Sequence, residues 1–366
     1  MSGVITTNVA EIGDKTVEKG VGKDTKKNAP LIHGGQLNKI AAQYAIPIEQ
    51  WLDLSTGIAP VSYPIPAIPA EVWQRLPQPS DALQKAACDY YQTEHLLAIP
   101  GSQVIIQQLP HIAAQQGYGS SRVWLPKVGY QEHRKAWQGA DYTVLFYQDI
   151  KELKHLDQQD IVVLINPNNP SGTVYCYKQV EQLFSHIEQK NGLLIIDEAF
   201  MDCSPQDSFI RQVTSEQLIV LRSVGKFFGL AGVRLGFVAA SVNWLKLFAA
   251  HLGPWSINGP AQYIAQQALT NKTWQTQQAK FLRTQSLQLA KLLQKTFKQT
   301  PKGTALFQTI QCEQAEMVFE QLCLQGVYVR LCDDKQALRF GIPLSKELLR
   351  LQLALESIVM SNLNSG

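Results

Sequence analysis

Six short apolar runs punctuate the middle of the chain: Val123–Leu125, Tyr142–Phe146, Ile161–Ile165, Leu193–Ile196, Leu218–Leu221 and Leu235–Ala239. Runs this short and apolar predict strands. Amphipathic stretches such as Lys178–Gln189 separate several of them, so the pattern is βαβ and the sheet is expected to be mostly parallel. Leu37–Tyr44 has helical spacing, and Trp51–Leu54 is a candidate short strand. Thr273–Phe297 lacks Gly and Pro and predicts a long helix. Beyond Pro301 the pattern is that of a smaller α+β unit, with Val327–Leu331 and Ala337–Phe340 as strands and Ser345–Val359 as a helix. Six prolines between Pro60 and Pro79 forbid regular structure over most of that segment. It reads as a crossing between two domains or onto a neighbouring subunit. Residues 1–29 differ from the rest: Glu11–Lys27 has almost nothing apolar to bury, and a mobile arm is expected there.

Composition narrows the class. A chain of 366 residues suggests about two domains. Its 33 Lys and Arg against 30 Asp and Glu leave +3, too little for a general nucleic-acid binder. No apolar run reaches the roughly 18–20 residues of a membrane span. Six scattered cysteines without C-x-x-C spacing read as reduced thiols, so a cytoplasmic enzyme is expected rather than a disulfide scaffold or a zinc protein.

Ligands of such sheets sit beyond the carboxyl ends of the strands. Four segments there carry unusual residues. Asn166-Pro167-Asn168-Asn169-Pro170-Ser171-Gly172 forces a tight turn that can present amide donors, or is an ordinary turn. Leu193–Ile196 ends in Asp197 and Glu198, carboxylates that need a metal, a protonated heterocycle or an arginine. Ser223 to Gly236 sets Lys226 among small and apolar residues, which lowers an amine's pKa and makes it a better nucleophile. Ser223 and Arg234 flank it in a Gly-rich loop fit for phosphate, although no Walker A pattern is present. Pro100-Gly101-Ser102-Gln103 opens an apolar helical segment and offers N–H groups to an anion, or a plain cap. Together they ask for a ligand with a phosphate, a ring nitrogen wanting an acid and a carbonyl wanting a lysine. Pyridoxal 5′-phosphate has all three.

The ordered set N-P-x-N-P-x-G, D-E-A-F and S-x-x-K-x-x-G-x-A-G-x-R resembles the signature of the aspartate-aminotransferase-like family of pyridoxal-phosphate enzymes, over nearly all of residues 30–366. The resemblance implies an α/β, fold type I architecture: a large domain with a mostly parallel seven-stranded sheet and a small α+β domain. The division expected is 30–75 for the N-terminal part of the small domain and the crossing, 76–285 for the cofactor domain and 286–366 for the rest of the small domain. It further implies Lys226 as the residue that bonds the cofactor covalently, Asp197 on the pyridinium nitrogen and Asn169 on the ring oxygen. Gly101, Ser102, Gln103, Ser223 and Arg234 would hold the phosphate, Tyr130 would stack on the ring, and Arg339 would grip the substrate carboxylate. A homodimer with shared active sites is also implied.

Within the family, His33-Gly34-Gly35 and the run Leu54-Ser55-Thr56-Gly57-Ile58-Ala59-Pro60 resemble a branch that decarboxylates a phosphorylated threonine for cobalamin synthesis. A transaminase of the same family is the alternative, and a non-catalytic sensor domain a remote one, since the 29-residue arm is too short for a winged helix. Phe200 and Leu76 stand where many transaminases have tyrosines, which favours the decarboxylase. Two anions on a small substrate fix its rotation if two anchors receive them. Arg339 is expected on the carboxylate, Arg330 and His33 on the phosphate, with the bare backbones of Gly34 and Gly57 close to the substrate.

Overall fold

The computed structural model describes residues 34–363, with side chains to residue 358. The expected arm, 1–29, and His33 lie outside the described residues. A two-residue strand, Leu52–Asp53 (β1), precedes the large sheet. That sheet contains Leu96–Ile99 (β2), Arg122–Pro126 (β3), Thr143–Tyr147 (β4), Ile161–Ile165 (β5), Leu193–Asp197 (β6), Leu218–Ser223 (β7) and Gly236–Ala240 (β8). Their order is β2-β8-β7-β6-β5-β3-β4. Neighbours from β7 to β4 pair in parallel, and β8 alone runs against its neighbours β7 and β2. The sheet is therefore the mostly parallel, seven-stranded one expected of an α/β fold.

Alternation along the central strands explains their uniformly apolar composition. Val162 and Leu164 of β5, with Leu194 and Ile196 of β6, enter the core on one face. Ile161, Val163, Leu193 and Ile195 enter a second core on the other. Both faces are covered, so the strands stay apolar until their carboxyl ends, where Asp197 and Arg222 find polar partners. Strand β2 is absent from the apolar runs read above, because its four residues follow Glu94-His95 and end at Pro100.

The remaining strands, Lys302–Thr304 (β9), Phe307–Gln311 (β10), Val327–Tyr328 (β11), Arg330–Leu331 (β12) and Ala337–Gly341 (β13), lie outside the large sheet. Four form a sheet in the order β12-β13-β10-β9, and β11 pairs in parallel with β1. The single strand expected over Val327–Leu331 is thus two strands divided at the fully buried Val329, because its halves hydrogen-bond to different partners. Helices Lys272–Phe297, Ala315–Leu324 and Ser345–Leu363 pack against these strands in one apolar core. The proline segment contains one short helix, Ala70–Gln74, which begins after Pro69 and ends before Pro77.

Candidate active site

Parallel pairing puts the carboxyl ends of β3, β5, β6 and β7 along one edge of the sheet. The register Ile99↔Gly236↔Ser223 adds the end of β2 and the start of β8 to the same edge. The loops leaving that edge enclose a cavity of about 120 Å³. It is lined by Gly101, Ser102, Gln103, Tyr130, Asn169, Asp197, Ser223, Lys226 and Arg234, together with Phe200 and other apolar groups.

The anion cradle arises from a strained glycine. Gly101 has φ +81° and ψ 155°, a conformation essentially restricted to glycine, and it caps the helix Ser102–Ala113. A Cβ there would lie 2.9 Å from Arg234 Nη2, so the guanidinium rests directly against the bare backbone. The helix N-terminus presents unpaired N–H groups at the same place. The Gln103 side chain is committed elsewhere: its Oε1 accepts from Tyr130 Oη at 3.0 Å and its Nε2 donates to Glu132 Oε2 at 2.9 Å. Its backbone N–H is what remains for an anion.

Asp197 is buried, accepts from the Ala199 N–H at 3.0 Å and meets His133 Nε2 at 3.1 Å. Neither partner is a permanent cation, so the carboxylate retains capacity for a protonated ring nitrogen. Its neighbour Glu198 points away and takes the arginine anticipated as one option: Arg222 Nη1 at 2.8 Å. Ser208 Oγ and the Phe209 N–H complete its bonds.

Lys226 is held among apolar groups, its Nζ 5.6 Å from the centre of the Phe200 ring. Burial, reinforced by the charges of Arg339, Arg234 and Arg330 against that of Asp197, lowers its pKa to about 8. An amine so tuned is partly neutral, and nucleophilic, near physiological pH. Phe200 packs edge-on against Phe307, and a Cβ on Gly57 would lie 2.7 Å from the Phe200 ring. Gly57 therefore lets Phe200 close over the lysine.

Arg339 reaches the site from β13. It donates through Nη1 to Asn169 Oδ1 and through Nη2 to the Ser55 carbonyl. Arg330 on β12 is its direct cross-strand partner. Both are buried, and Arg339 Nε, Arg330 Nε and Arg330 Nη2 make no hydrogen bond. Asp333 stands 3.6 Å from Arg330 as its ion-pair partner. Burial, with the charge of Arg330 beside it, pulls the Arg339 pKa down to about 9. Gly34 lies against this corner, where a Cβ would collide with the Ser55 carbonyl, and Gly35 N–H donates to Ser55 Oγ at 2.8 Å.

A profile of the aminotransferase class I and II family matches residues 73–356. The chain belongs to that family. The threonine-phosphate decarboxylase of Pseudomonas aeruginosa is 40% identical over 313 residues, covering 86% of this chain and 93% of that protein. A threonine-phosphate decarboxylase of a Sinorhizobium species is 36% identical, over 84% and 91% of the two chains. Among solved structures, the histidinol-phosphate aminotransferase of Sinorhizobium meliloti in complex with pyridoxal-5′-phosphate superposes with TM-score 0.73 at 16% identity, over 94% of this chain and 99% of that one.

Pyridoxal 5′-phosphate fits the family site in this chain on its own chemistry. A desolvated amine, a buried carboxylate without a fixed cation and a glycine cradle with an arginine against it open on one cavity. Sequence reasoning gave no role to His133, Ser55, Glu132 or Phe307. Only His133 carried a signal, three residues after Tyr130 and so on the next turn of the helix Gln131–Gly139.

Proposed function

We propose that the chain decarboxylates L-threonine O-3-phosphate to (R)-1-amino-2-propanol O-2-phosphate, the aminopropanol linker used in cobalamin synthesis. One observation carries the reading: two buried arginines face each other across β12 and β13 with three N–H-bearing nitrogens unbonded. Like charges opposite one another weaken a sheet. Only Asp333, 3.6 Å from Arg330, offsets the two charges, so a substrate with a carboxylate and a phosphate supplies the counter-charge that Arg339 lacks and hydrogen-bond acceptors for Arg330. The names of the relatives that match nearly the whole chain support the same substrate.

When bound, the cofactor supplies an electron sink for the bond broken at the substrate α-carbon. The protein decides which bond that is. Arg339 holds the carboxylate side, and Arg330 with His33 holds the phosphate, which fixes rotation about the α-carbon. Gly34 and Gly57 admit the substrate without side chains in the way. Phe200 and Phe307 form an apolar wall that excludes water from the lysine. After CO2 departs, Lys226 Nζ delivers the proton to the α-carbon. For the cofactor, Asn169 serves the ring oxygen, Asp197 the ring nitrogen, Tyr130 the ring face, and Gly101, Ser102, Gln103, Ser223 and Arg234 the phosphate.

The same reading includes a large domain, 76–285, and a small domain built from 30–75 and 286–366. It also includes a homodimer in the cytoplasm. Exposed Ile65, Trp73, Leu76 and Trp255, each more than half accessible, support self-association. No helix among the described residues is long and apolar enough to cross a membrane.

The test is to incubate cofactor-loaded protein with L-threonine O-3-phosphate, with and without 2-oxoglutarate, and follow CO2 and aminopropanol phosphate. Both appear without the keto acid, and Lys226→Ala abolishes them. Amino transfer from histidinol phosphate without CO2 release would instead make the chain a transaminase.

A further inference from the structure

We propose that Glu132 is a positioning residue which, through Gln103, fixes the Tyr130 ring and the anion-facing helix N-terminus as one unit. The inference rests on the cofactor reading of this cavity and not on the substrate. Tyr130 Oη donates to Gln103 Oε1 at 3.0 Å, and Gln103 Nε2 donates to Glu132 Oε2 at 2.9 Å. Only one orientation of the Gln103 amide satisfies both bonds. The chain needs a protonated phenol at one end and an acceptor oxygen at the other.

Its surroundings hold the phenol end protonated. Burial, aided by the charges of Glu132 and Asp197, raises the Tyr130 pKa to about 12. Glu132 lies in the first turn of the helix Gln131–Gly139, where the helix dipole favours an anion. Gln103 is the second residue of the helix Ser102–Ala113. Two helix N-termini that open on one cavity are thereby clasped together. His133, the next residue, meets the Tyr130 ring edge-on at 6.3 Å and bonds Asp197. A single helical turn thus steadies the stacking ring through Glu132 and the acid for the ring nitrogen through His133.

The experiment strips the holoenzyme and re-titrates it with pyridoxal 5′-phosphate. Protein fluorescence gives the affinity, and induced circular dichroism of the bound cofactor reports its orientation. Glu132→Ala and Tyr130→Phe should each weaken binding about five- to tenfold and reduce the dichroism. In the double variant the losses should not add, because either change breaks the same chain. Glu132→Gln keeps an acceptor for Gln103 and should stay within about twofold of the parent. Wild-type affinity and dichroism in Glu132→Ala, or full additivity, would overturn the clasp while leaving the cofactor reading intact. A parent chain that takes up no cofactor would overturn both. If Glu132→Ala fails to fold by its thermal melt, the Tyr130→Phe and Gln103→Leu cycle decides by the same additivity criterion.

Discussion

Arg222 and Arg339 are buried almost equally, 2% and 3% exposed, yet their surroundings are opposite. Arg222 donates to Glu198 at 2.8 Å, Ser208 at 3.1 Å and Asp202 at 2.7 Å, and lies 4.7 Å over the Tyr91 ring. Burial works against its charge, but Asp202 and Glu198 outweigh burial and raise its pKa. Arg339 has only neutral acceptors, and its cross-strand neighbour is another cation. Burial and Arg330 pull it down instead. A buried charge that is paired within the chain serves the fold. One that is opposed within the chain costs stability, and its explanation lies in what it binds.

The comparison breaks first at Arg222. Arg222→Met leaves Glu198 and Asp202 buried without their cation, and should cost about 3–5 kcal/mol of unfolding free energy. A urea melt measures it as a lower midpoint with an unchanged slope. Arg339→Met should behave in the reverse way: its urea midpoint holds or rises, while kcat/KM for decarboxylation falls about a hundredfold or more. If Arg339→Met is as destabilised as Arg222→Met, the distinction between the two arginines fails and Arg339 is a structural residue.

The sequence made one side of this contrast easier to read than the other. Strands β3 to β8 were legible because short, largely apolar runs between amphipathic stretches leave few alternatives, and the turn and Gly-rich segments after them concentrated the chemistry. The adjacent carboxylates Asp197 and Glu198 looked equivalent on paper. Their separation into a site acid and a structural acid depends on which face of β6's end each side chain takes, and on Arg222 from β7. Arg330 and Arg339 were visible as two cations nine residues apart. That they stand directly opposite follows only from the β12–β13 register. The break at Val329 was hidden because an apolar run carries no record of a change of pairing partner. Gln103 was readable as a helix-start residue. Its amide bonds to Tyr130 and Glu132 involve residues 27 and 29 positions away, which no local pattern encodes.

The mildest test leaves every residue except one in place and supplies only a counter-ion. Inorganic phosphate added to the holoenzyme should raise its melting temperature by a few degrees relative to chloride at equal ionic strength, since binding to the folded state alone stabilises by about 2.7 kcal/mol at a hundred times Kd. The holoenzyme is the right form because, on the proposed reading, the cofactor's own phosphate would fill the Gly101–Arg234 cradle. Arg330→Met should remove the saturable part of the shift, because it removes both the cation and the repulsion that the anion relieves. The unsaturable rise that excluded salts give is retained in Arg330→Met and serves as the baseline. A shift that survives Arg330→Met undiminished would mean that the anion binds elsewhere, and the opposed pair would then lose its claim on the substrate phosphate.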